Sequence, residues 1–200
     1  MRNSLVGIVL FVLVGFAQGQ TIPTNDLLPT LRLNKQVACE KKLLRDSGAE
    51  EIVNGPEYEI FLYVAAAFKR ANPPRLYFVP GGGNSVYVAG SVVADGRGKI
   101  LMSRIFVRLM GNTPALKGIM AHEMAHLVAD VHGATSCDQW VVRDPEAEEA
   151  ADALAAHTVG FGPVRAFLLR VKEFTGAKDS EATSRLQALE KLEAQENRQR

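Results

Sequence analysis

Ile119-Met120-Ala121-His122-Glu123-Met124-Ala125-His126-Leu127-Val128 is an apolar run with three polar side chains set into it, and no glycine or proline interrupts it. Residues four apart on a helix lie one above the other on the same face. His122 and His126 can therefore present two imidazole nitrogens to one metal ion. Glu123 follows the first of them directly and can reach a water held by that ion, the position a general base needs. Burying three such groups unpaired in an apolar helix would be costly. One metal ion accounts for all three, and zinc-dependent hydrolysis is the chemistry that this spacing points to. The alternative, a core helix that happens to carry two histidines and a glutamate, leaves that cost unanswered.

A zinc hydrolase site takes three protein ligands and leaves the fourth position to water. Downstream, Pro145-Glu146-Ala147-Glu148-Glu149-Ala150-Ala151-Asp152 opens a second helix, with proline suited to its first turn and acids to its N-terminus. Glu148 and Asp152 are four apart and share a face. Glu148 can supply the third ligand while Asp152 accepts the second N–H of a ligand histidine, which sets the tautomer. Glu149 and Glu146 compete for the ligand role, because sequence does not fix the rotation of a helix to one residue. An acidic, solvated helix start is the bland reading.

His122-Glu123-Met124-Ala125-His126 with Glu148-Glu149-Ala150-Ala151-Asp152 resembles the H-E-x-x-H … E-x-x-A-D pairing of the HtpX-like zinc metallopeptidases, relatives of the CAAX prenyl endopeptidases. The resemblance covers about residues 76–157. It implies a gluzincin endopeptidase with one zinc ion held by His122, His126 and Glu148, Glu123 as base and Asp152 behind the ligands. It also implies that Asn84, Ser85, Val86, Tyr87, Val88 and Ala89 form an edge strand alongside a peptide substrate. The interval between the two motifs is short for the family, and the family's oxyanion-stabilising residue has no matching position. His157 and Arg165 are the candidates for that role, with a quiet surface histidine as the competing reading of His157. His132 falls off the ligand face.

The ends of the chain bear on where it works. Arg2, an apolar core over residues 5–16 and Ala17-Gln18-Gly19 describe a secretory signal peptide cleaved after Gly19, and so a secreted or periplasmic protein. That core is short for a membrane span, so no stable span is expected after cleavage; an uncleaved segment would act as an anchor. The balance of 23 Lys+Arg against 22 Asp+Glu makes no electrostatic case for nucleic acid. The expected partner is a protein or peptide substrate. Cys39 and Cys137 would meet an oxidising compartment and are read as one disulfide, with two free thiols as the competing reading.

The organisation expected is a signal peptide (1–19), an extended leader (20–35), a metallopeptidase domain (36–178) and a charged C-terminal helix (179–200). Helices are expected over 36–46, 56–71, 113–131, from Pro145, from Pro163 to Thr175, and over 180–200. Strands are expected over 75–79, 85–94 and 99–103, with a hairpin turn at 94–98. Gly81-Gly82-Gly83 is read as a loop near the site, since no phosphate-loop pattern accompanies it. Trp140 is read as a core or pocket-wall residue. The fold class is α+β: a helix-rich, zincin-like domain with a small antiparallel β-sheet edging the cleft. A catalytically silent zinc-binding periplasmic scaffold or chaperone is the alternative function.

Overall fold

The structure, a computed structural model, describes residues 38, 41–42, 44–70, 72–80, 89–92, 98–111, 113–129, 145–175 and 180–199; for 89–92 and 129 it describes the backbone alone. The expected signal peptide, the leader, Asn84 to Val88, the glycine run, the hairpin turn except Gly98, His132, Trp140 and both cysteines lie outside the described residues. No described helix is long and apolar enough to cross a membrane.

Six helices and four strands have described bounds, in α+β order: β1 (Glu50–Ile52), α1 (Pro56–Ala67), β2 (Arg75–Val79), β3 (Ala89–Val92), β4 (Lys99–Ser103), α2 (Arg104–Met110), α3 (Thr113–Ala129), α4 (Pro145–Val159), α5 (Phe161–Thr175) and α6 (Ser180–Gln199). Residues 38, 41–42 and 44–46 are helical too, within the helix expected over 36–46. The sheet order is β1-β2-β4-β3. It is mixed, which corrects the expected antiparallel sheet. β3 pairs antiparallel with β4, and β1 with β2, but the central pair β2 and β4 runs parallel, Leu76 opposite Ile100 and Phe78 opposite Met102. Strand propensity carries no direction. The sign that was present is the continuous apolar run of both central strands, as parallel strands covered on two faces show. Leu76, Phe78, Ile100 and Met102 face the main core, while Tyr77 and Leu101 face the other way and pack with Leu44 and Ala49.

Neither β1 nor α2 has a counterpart among the expected elements. The Ser103 hydroxyl ends β4 and caps α2 in one step, accepting from the Phe106 amide at 3.0 Å. α1 stops at Ala67 rather than near residue 71, and Lys69 takes a positive φ of 53° just beyond it.

α3 is the axis of the molecule. Residues 118–127 are all buried, as a helix that is apolar all round requires. It packs against α1, α4, α5 and the β3–β4 edge of the sheet. The closest approach is at Gly118, where a Cβ would stand 2.1 Å from the Pro163 carbonyl oxygen and 2.9 Å from Phe167 Cβ. Backbone cannot retreat as a side-chain tip can. Gly118→Ala is therefore expected to destabilise the protein by about 3 kcal/mol, the upper part of the overpacking range, outweighing the roughly 1 kcal/mol helix-propensity gain. A denaturant midpoint equal to wild type would show that α3 and α5 can separate freely.

Candidate metal centre

α3 sets His122 and His126 one turn apart. α4 lies across it with a buried face of Glu148, Ala151, Asp152, Ala155 and Ala156, a helical stripe in which alanines allow close approach. That rotation sets the acids apart: Glu148 is buried, Glu149 is half-buried and reaches Ser184, and Glu146 is exposed.

One ligand atom each from His122, His126 and Glu148 lies within 4.8 Å of the others. The two Nε2 atoms are 3.1 Å apart, His122 Nε2 is 3.3 Å from Glu148 Oε2, and His126 Nε2 is 3.4 Å from Glu148 Oε1. Four donors held tetrahedrally at about 2.0–2.1 Å from a centre stand roughly 3.3–3.4 Å from each other. The three spacings fit a small four-coordinate ion, and the buried His122–His126–Glu148 group is one that can bind a metal. The exposures are 0%, 3% and 1% for the trio and 0% for Glu123, which follows His122 on α3 and is not one of the converging three.

Behind the trio, His122 Nδ1 donates to Asp152 Oδ1 at 2.8 Å, so its Nε2 is the nitrogen that faces His126 and Glu148. α6 then adds a residue that sequence reasoning missed. Arg185, 4% exposed, donates from Nε to Asp152 Oδ2 at 2.7 Å and from Nη2 to Asp152 Oδ1 at 2.8 Å, and its Nη1 is 2.9 Å from Glu148 Oε2. Its Nη2 also stands 3.2 Å from His122 Nδ1, but both are donors turned toward the same carboxylate oxygen. The signal was available. Ala182, Arg185, Leu186 and Leu189 form the buried stripe of α6, so an arginine occupies an apolar-face position.

The structure does not bring His157 or Arg165 to the trio. His157 is half-exposed and pairs with Glu196, and Arg165 pairs with Glu193, both partners lying on α6. Both therefore sit in ion pairs between helices, outside the converging group of three. Of the expected substrate strand, only Ala89 is described; it begins β3, the edge strand beside β4, which also lies against α3.

Burial pushes the His122 imidazole down, but the Asp152 and Glu148 carboxylates outweigh it and the opposing Arg185 charge, raising it from 6.5 to about 9. Burial pushes His126 down, and it stays neutral at pH 7. Glu148 and Asp152 are held below the ordinary carboxylate range: against burial, His122 and Arg185 favour their charged forms. A positive charge belongs among these atoms, carried by a proton on His122 or by a metal ion. For metal-free protein, His122 is raised in the folded state, so its contribution is full below pH 6.5 and is lost as pH climbs to about 9. An ion must displace that proton, so metal affinity is expected to rise over the same interval, with proton release on binding. Affinity that is flat between pH 6.5 and 9 would contradict this charge arrangement.

Comparison of the chain with protein-family models, with curated proteins and with solved structures finds no match in any of the three.

Proposed function

We propose that the chain is a zinc-dependent endopeptidase of the zincin kind, hydrolysing peptide bonds in flexible or unfolded protein segments, in a secreted or periplasmic setting. The observation that carries this reading is the ligand trio, with spacings suited to a four-coordinate ion, beside a buried Glu123 on the same helix. Two neutral imidazoles and one carboxylate are a zinc donor set, and the H-E-x-x-H…E-x-x-A-D resemblance agrees with it.

When bound, zinc supplies a Lewis acid that lowers the pKa of a water and polarises the scissile carbonyl. The protein's own residues do the rest. His122, His126 and Glu148 are the ligands. Asp152 keeps the proton of His122 on Nδ1, leaving the Nε2 lone pair for the ion. Glu123 takes the proton of the attacking water and delivers it to the departing amine nitrogen. The edge strand β3 beside α3 supports capture of substrate as an added strand, starting at Ala89.

The depth of the trio favours a second reading, a zinc-binding scaffold or chaperone without turnover. One experiment separates them. Purified untagged protein is assayed on an unfolded polypeptide with and without a chelator, and its zinc is measured. Zinc at one ion per chain, cleavage lost to the chelator and cleavage restored by zinc are expected. Zinc without cleavage would favour the scaffold, and absence of zinc would end both readings. His122→Ala and Glu148→Ala are each expected to lose the ion, with zinc affinity falling more than about 100-fold, beyond what outer-shell changes cost. Full zinc occupancy in either variant would remove that residue from the ligand set.

A further inference from the structure

We infer that Arg185 is a positioning residue for the metal centre, so that α6 is part of the site and not an appended helix. This rests on the metal reading proposed above. The first observation is geometric. One guanidinium spans both functional carboxylates of α4, with two bonds to Asp152 at 2.7 and 2.8 Å and an ion pair to Glu148 at 2.9 Å. A planar fork fixes a carboxylate in orientation as well as position, which a point charge does not. The second is the cost of the arrangement. Taking an arginine out of water costs several kcal/mol, and Arg185 is buried on an otherwise apolar helical stripe, with its guanidinium 5.7 Å from the centre of the Phe167 ring. The third is the order of contacts, Arg185 to Asp152 to His122 Nδ1, which ends on a ligand.

Two effects oppose each other here. The positive charge of Arg185 repels a metal cation, so deleting it would tighten binding; loss of the fork frees Asp152 and Glu148 and would loosen it. Arg185 is paired with two carboxylates that already neutralise it, so orientation is the larger effect. Arg185→Lys isolates it, since the charge stays and the fork goes.

The test is titration of each folded, metal-stripped protein with Zn2+ against a competing chelator, with a thermal melt of the same samples. Arg185→Lys and Arg185→Gln are both expected to weaken zinc binding by about 10–100-fold, the range for residues that orient ligands. Leu189→Ala is the control, because Leu189 is buried one turn along α6 and carries no polar group that could hold Asp152 or Glu148. It is expected to lower the melting temperature while zinc affinity falls by much less than the about 10–100-fold of the arginine variants. The role is overturned if Arg185→Lys binds zinc as tightly as wild type. It is also overturned if Arg185→Gln binds more tightly, or if Leu189→Ala loses affinity as the arginine variants do. Wild-type protein that binds no Zn2+ would bring down the metal reading and this role together.

Discussion

Glu123→Gln is expected to keep its zinc and lose hydrolysis of an unfolded polypeptide by about 10²–10⁴-fold, the usual share of general acid–base catalysis. The substitution preserves shape and leaves His122, His126 and Glu148 in place, so the ion has no reason to leave. An amide cannot accept the water's proton at neutral pH, and that is the one function removed. Glu123 is fully buried, and glutamine matches it in size, so the variant is expected to fold. The measurement is turnover at matched zinc content. A zinc-loaded variant that cleaves at the wild-type rate would take the base role away from Glu123.

Asp152→Ala is expected to have the largest effect on stability, about 3–5 kcal/mol in metal-stripped protein. The Asp152 carboxylate accepts from Arg185 Nε, Arg185 Nη2 and His122 Nδ1, all within 2.8 Å. Removing it leaves Arg185 buried with only part of its compensation, and breaking such a pair costs far more than the pair is worth against an apolar substitute. For a chain of this size the loss corresponds to a fall of roughly 10 °C in melting temperature. Asp152→Asn, which keeps the shape and one acceptor, is expected to fall between. A loss below about 1 kcal/mol for Asp152→Ala, the scale of an exposed pair, would mean that water reaches Arg185 once the carboxylate is gone.

Much of the site is legible in the chain because it is written twice at helical spacing. His122 and His126 share a face of α3 wherever that helix lies, as Glu148 and Asp152 share a face of α4. Two strands were equally local, 75–79 and 99–103, which are read at their observed bounds, whereas β1 was not read and the strand expected over 85–94 is described over Ala89–Val92. The failures lie where local information is silent. The short apolar run of α2 is ambiguous by period alone, and Ser103 turns it helical by capping. The parallel pairing of β2 and β4 depends on where β3 returns, a matter of connection rather than propensity.

The amino-acid order alone determined which side chains could act in pairs, since geometry within one helix is set by its own backbone and needs no partner. Tertiary structure decided which pairs meet. It turned Glu148 inward in place of Glu149 or Glu146, ran β4 alongside β2, and drove the lone arginine of α6's apolar stripe onto Asp152. Those outcomes depend on how each helix is rotated and how closely it approaches its neighbours, as at Gly118 against Pro163. Such contacts join residues far apart in the chain, and no stretch read by itself contains them.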